Sequence, residues 1–140
     1  LGRDFLHTHH YCAALNTLRQ ARLMFPKNKS QQQDKKGTLS FIFNNIQYME
    51  DHAKPTYVLF PHIYTTKAEA YLEAKQTTKA IEYFNKAINA NKKFTKPYAL
   101  LSDYYLRIKN KKDALSILED GLKHSPKSRA LNKRIKKLLK

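Results

Sequence analysis

The chain has 140 residues, with 27 Lys plus Arg against 11 Asp plus Glu, for a formal charge of +16. Apolar residues reach 41%, too many for a disordered tail, and three glycines with no tryptophan argue against a Gly-punctuated β-barrel and toward long helices. Cys12 is the only cysteine, which excludes a disulfide-stapled scaffold and a Cys-pair zinc site and favours a reducing, cytoplasmic compartment.

In chain order, the first predicted helix runs from about Asp4 to Phe25. Phe5, Leu6, Tyr11, Ala14, Leu15, Leu18, Ala21 and Leu23 recur there at helical spacing, and Pro26 stops it. Residues 27–37, KNKSQQQDKKG, hold no apolar side chain and read as a mobile loop. A second helix, about Thr38 to His52, carries Leu39, Ile42, Phe43, Ile46 and Met49. The stretch from Lys54 to Pro61 contains Pro55 and ends on proline, so it reads as extended or turn.

From there the chain repeats itself. An offset of 34 residues aligns Tyr64 with Tyr98, Ala68 with Ser102, Tyr71 with Tyr105 and Leu72 with Leu106. The same offset aligns Ala80 with Ala114, Ile81 with Leu115, Phe84 with Leu118, Ala87 with Gly121 and Ile88 with Leu122. Within the first block, Ile63, Tyr64, Ala68, Tyr71 and Leu72 form one helical stripe, and Ala80, Ile81, Phe84, Ala87 and Ile88 a second. The polar turn between them is Ala74 to Thr78, with Thr77 or Thr78 as a candidate cap. Asn110 to Asp113 is the turn of the second block, and Pro126 follows its last helix. Small residues at 68, 80 and 87 let paired helices approach closely, and Gly121 has the same use. Residues 129–140 supply one more amphipathic helix, with Leu131, Ile135, Leu138 and Leu139 on its apolar stripe, suited to capping an array.

These positions resemble the tetratricopeptide repeat family. The family pattern reads here as Tyr64, Lys67, Ala68, Tyr71, Ala80, Phe84, Ala87 and Lys92, then as Tyr98, Leu101, Ser102, Tyr105, Ala114, Leu118, Gly121 and Pro126. The departures are Lys67 for an apolar residue, Lys92 for proline, Leu118 for the aromatic and Gly121 for alanine. The resemblance implies an all-α, right-handed α-solenoid of antiparallel helix pairs, about seven helices in a single domain. Residues 1–60 would be a degenerate pair, 61–94 and 95–128 two repeats, and 129–140 the cap.

Chemistry is sparse. In LHTHHYC, His7 and His10 share a helical face while His9 and Cys12 share another, so the cluster does not converge, and a metal site would need Asp4 or His62 besides. Packing is the expected role of these rings. Glu50–Asp51 and Glu119–Asp120 are sequence neighbours whose side chains diverge, and no Gly-rich phosphate loop exists. The expectation is a non-enzymatic protein without metal or cofactor. No stretch approaches 18 apolar residues, so no transmembrane segment is expected. A start at Leu1 rather than Met suggests a processed product or an excised fragment, so a targeting segment could precede it.

The charge is +4 over residues 1–60, +3 over each 34-residue block and +6 over 129–140. Lysine dominates, no nucleic-acid module signature occurs, and the aromatics sit at core positions, which together argue against a nucleic-acid partner. The resemblance instead implies a protein or peptide partner in a concave groove lined by the first helix of each pair. By position the groove comprises His62, Thr65, Glu69, Leu72 and Glu73, then Lys96, Ala99, Asp103, Leu106 and Arg107, with Lys133 and Lys137 from the cap. Glu69, Glu73 and Asp103 there face Lys96, Arg107 and Lys133, as partner contacts or as pairs across adjacent helices. Thr65, Glu69 and Leu100 do not suit a clamp for chaperone C-terminal carboxylates. The alternative function is a basic adaptor whose Lys/Arg-rich C-terminal helix binds nucleic acid or an anionic surface.

Overall fold

A computed structural model describes residues 7–140. The predicted helix start at Asp4, with Phe5 and Leu6, lies outside the described residues. The helices are α1 (Thr8–Leu23), α2 (Lys29–His52), α3 (Phe60–Glu73), α4 (Thr77–Ala90), α5 (Lys96–Arg107), α6 (Lys111–His124) and α7 (Arg129–Leu138). No strand occurs among the described residues, and the chain is all-α as the periodicity predicts.

One expectation fails. Residues 27–37 are not a loop: α2 begins at Lys29 and takes up most of that segment. The Asn28 side chain caps the helix by accepting from the Gln31 N–H at 2.9 Å, and Gln31 Oε1 reaches back to accept from the Lys27 N–H at 2.8 Å. Lys and Gln are unbranched chains that lose little freedom in a helix. Their polarity therefore marks a solvated face rather than a break in structure. The segment from Lys54 to Phe60 is a pair of turns, closed by Tyr57 N–H to Lys54 C=O at 2.8 Å and Phe60 N–H to Tyr57 C=O at 3.0 Å.

The chain divides into two compact units, residues 1–83 and 84–140, with α4 contributing to both. In the first, Ala14, Leu18 and Ala21 of α1 pack with Leu39, Ile42, Ile46 and Met49 of α2 and with Phe60, Ile63 and Ala70 of α3. Tyr57 joins this core while its hydroxyl meets Thr8 Oγ1 at 2.7 Å. In the second, Ile88 of α4 packs with Tyr98 and Ala99 of α5, Ala114 and Leu118 of α6, and Leu131 and Leu138 of α7. The amphipathic helices bury only one stripe each, so tertiary contact supplies most of their stability.

The 34-residue period is visible in backbone geometry. α3 ends with Lys75 at φ 60°, and α5 with Lys109 at φ 62°. Lys75 N–H bonds to Leu72 C=O at 3.0 Å and Gln76 N–H to Tyr71 C=O at 2.9 Å. Lys109 and Asn110 make the equivalent bonds to Leu106 at 2.9 Å and Tyr105 at 2.8 Å. This is one Schellman stop used twice, with lysine in the left-handed place that glycine usually fills. The next helix then starts differently in the two copies. Neither Thr77 nor Thr78 is seen to cap α4, which begins with Ala80 N–H on the Gln76 carbonyl at 3.0 Å. α6 is capped by Asn110, whose Oδ1 accepts from the Asp113 N–H at 3.1 Å while its Nδ2 donates to Asp113 Oδ2 at 2.7 Å.

Two glycines differ in what surrounds them. A Cβ on Gly121 would lie 2.8 Å from a Leu131 methyl and 2.9 Å from the Tyr98 ring, whereas one on Gly37 meets nothing within 4 Å. Gly121→Ala therefore lowers stability by about 1–3 kcal/mol through overpacking, despite alanine's better helix propensity. Gly37→Ala, on the exposed face of α2, raises it by about 0.5–1 kcal/mol. Urea denaturation of the two variants should show shifts of opposite sign.

Candidate protein-interaction surface

The predicted groove positions divide into buried and accessible sets. On α3, Thr65 is fully buried and its hydroxyl donates to the Pro61 carbonyl at 2.7 Å. Glu69 is 6% exposed and accepts from Arg22 Nη2 of α1 at 2.6 Å. Glu73 is half-buried and accepts from Lys35 Nζ of α2 at 2.9 Å, and Lys35 also reaches the Met24 carbonyl. Both carboxylates are thus neutralised by neighbouring helices. Leu72 is half-buried and His62 is exposed.

In the second unit, Ala99 belongs to the core. Asp103 receives a two-point contact from Arg134 of α7, Nε to Oδ1 at 2.9 Å and Nη2 to Oδ2 at 2.8 Å. This planar fork pairing is the stronger kind of ionic hydrogen bond, and it holds the guanidinium still more firmly in its charged form. Leu106 is half-buried against the core, while Lys96, Arg107, Lys133 and Lys137 are exposed. Arg107 lies over the Tyr104 ring, 5.8 Å from its centroid.

Sequence reasoning missed the cations that answer the groove carboxylates: Arg22, Lys35 and Arg134. It also missed the most buried ion pair, although Lys67 was visible as a charge at an apolar repeat position. Lys67 is 2% exposed, donates to Glu50 Oε2 of α2 and to Gln47 Oε1 at 3.3 Å, and sits 4.5 Å from the Tyr83 ring centroid. Burial alone would push its pKa down, but the hydrogen bonds to Glu50 and Tyr83 outweigh that and hold it above the ordinary lysine value. The charged pair therefore contributes at neutral pH, and that contribution is lost only as pH climbs through the alkaline lysine range.

The N-terminal rings gather around Tyr48, and Asp4, the further metal ligand considered from sequence, lies outside the described residues. Tyr48 of α2 lies 4.2 Å from His10 and 4.1 Å from His52, with His7 edge-on at 5.5 Å. His10 Nδ1 meets Asn45 Oδ1 at 2.8 Å, and His52 Nδ1 meets the Tyr48 carbonyl at 2.7 Å. Among the described residues no three His, Cys, Asp or Glu side chains converge as ligands, and no helix is long and apolar enough to cross a membrane. Tyr48 and His52 are four apart on α2, and that spacing was the available signal.

Antiparallel helix pairs at a 34-residue period, with matched stops and small residues at the contacts, define a helical-repeat protein. Residues 66–137, just over half of the chain, match the tetratricopeptide repeat family, and the chain belongs to it. A comparison with curated proteins finds no match. Tetratricopeptide repeats are protein-interaction modules and are typically non-catalytic, which makes the chain an interaction module in that general sense.

Lys67→Met leaves the half-buried Glu50 without its partner and costs about 1–3 kcal/mol, whereas adding Glu50→Leu restores or exceeds the original stability. Chemical denaturation of the single and double variants distinguishes the two outcomes.

Proposed function

We propose that this chain is a single tetratricopeptide-like domain that binds a peptide or partner helix in the groove lined by the first helix of each pair, without catalysis. The observation that carries the reading is the family match over residues 66–137, laid on first helices α3 and α5 that each keep accessible side chains at groove positions. Because Thr65 and Ala99 are buried, they act on the groove's shape, and contact falls to His62, Leu72, Lys96, Leu106 and Arg107 with Lys133 and Lys137. Glu69, Glu73 and Asp103 serve mainly to fix neighbouring helices through their ion pairs. Apolar Leu72 and Leu106, at matched repeat positions, offer anchors, and charge around them sets on-rate and selectivity.

The test is selection of binders from a random displayed peptide library, followed by calorimetry. Substituting His62→Ala, Lys96→Ala and Arg107→Ala together should weaken a selected peptide by at least about tenfold, roughly 1.4 kcal/mol, with an unchanged unfolding midpoint. Binders indifferent to the triple variant would refute the groove assignment. A library that yields no binder would refute the peptide-binding reading itself.

A further inference from the structure

The charge on the two units is uneven. Residues 1–83 carry 11 basic and 7 acidic residues, and residues 84–140 carry 16 basic and 4 acidic. Three of the four acids are moreover engaged. Asp103 is held by Arg134, Asp120 lies 3.6 Å from Lys123, and Asp113 is engaged by the α6 cap. On α7 the apolar stripe Leu131, Ile135 and Leu138 is turned to the core of its unit. The opposite side presents Arg129, Lys133, Lys136 and Lys137 around Asn132, with Lys140 just beyond the helix; all five cations are exposed, have no carboxylate partner among the described residues and line one surface depression.

The repeat register sharpens this. Glu69 of α3 and Asp103 of α5 occupy the same repeat position, 34 residues apart, and each is answered by an arginine from another helix of its own unit. One further period falls on Lys137 of α7. The charge at that position is reversed, and among the described residues no carboxylate is paired with it.

We infer that the exposed basic face of α7, to which the groove positions Lys133 and Lys137 belong, is a docking site for an acidic protein segment carrying several Asp or Glu residues. The inference rests on the interaction-module reading and names the chemistry of the partner. From Arg129 to Leu138 the helix extends about 14 Å, the length of between two and three turns of an acidic helix or an extended run of about four residues. Complementary charge of this density steers encounter and fixes register. The lining contains no aromatic ring on which a base could stack, and lysine provides four of its five cations, which weighs against nucleic acid. A membrane-adsorbing helix spends its apolar stripe in lipid, but here Leu131, Ile135 and Leu138 are packed in the protein and Leu139 is left exposed.

The experiment uses the whole chain and three fluorescent probes: a Glu-rich helical peptide, a single-stranded RNA of equal charge, and vesicles containing phosphatidylserine. The peptide should bind with an affinity that drops at least about tenfold as salt shortens the screening length. Binding should fall at least about tenfold, to one-tenth or less, in the Lys133→Gln, Lys136→Gln, Lys137→Gln, Lys140→Gln variant. Removing equal charge elsewhere, with Lys92→Gln, Lys109→Gln, Lys111→Gln and Lys112→Gln, should leave peptide binding within about twofold. Circular dichroism checks that both variants fold. The inference is overturned if the peptide does not bind, if the two variants lose binding equally, or if RNA or vesicles bind more tightly than the peptide. Library-selected peptides that bind through His62 and Arg107 while the Glu-rich peptide fails would sink this inference alone and leave the groove reading intact.

Discussion

Close approach of helices is the constraint on which the rest of this architecture depends. Two helices can approach only where the side chains between them are short, and here the fully buried positions include Ala14, Ala21, Ala68, Ala70, Ala80, Ala87 and Ala114. Gly121 is the limiting case. The Tyr98 ring from α5 and a Leu131 methyl from α7 both occupy the space that a Cβ would need, so one missing carbon lets three helices share a core. Tyr98 itself is fully buried yet satisfied, because its hydroxyl donates to the Lys92 carbonyl at 3.1 Å. Ser102 shows the cost of imperfect reuse. It stands where the earlier block has Ala68, and its buried Oγ finds no partner among the described residues.

Charge enters this scheme as a fastener between helices before it can serve a partner. Arg22 with Glu69, Lys35 with Glu73, Lys67 with Glu50 and Arg134 with Asp103 each join two different helices within one unit. The Lys67 pair is nearly dry, so its value lies less in net stability than in fixing which faces of α2 and α3 meet. A carboxylate already committed to an arginine offers little to a ligand, since taking it would cost the internal pair.

Much of the fold was legible because helical repeats write their structure twice. The stripe from Ile63 to Leu72 and its copy 34 residues later fixed helix type, turn position and the small contact residues. The capping role of Asn110 could be anticipated from its place in the turn, whereas the stop at Lys75 and Lys109 could not, since lysine carries no signal for a left-handed backbone. The extent of α2 was misread for a physical reason: a wholly polar segment lacks the periodicity that betrays a helix, while Asn28 and Gln31 supply the cap that starts one. The candidate site was legible only as positions. Which carboxylates were free depended on cations distant in sequence, with Arg22 to Glu69 spanning 47 residues.

Comparison of equivalent positions shows how a duplicated frame acquires asymmetry. Lys67 and Leu101 occupy the same repeat place and are each 2% exposed, yet one is a cation met by a carboxylate from α2 and the other is apolar. His62 corresponds to Lys96 and Glu73 to Arg107, so the second copy is more basic at two groove positions out of five. The cap continues the trend with Lys133 in place of Thr65 and Ala99, and Lys137 in place of Glu69 and Asp103. Packing tolerates the exchanges at His62/Lys96 and Glu73/Arg107 because these side chains keep access to solvent. An interaction module of this kind can therefore change the sign of its surface one repeat at a time while its helix contacts stay fixed.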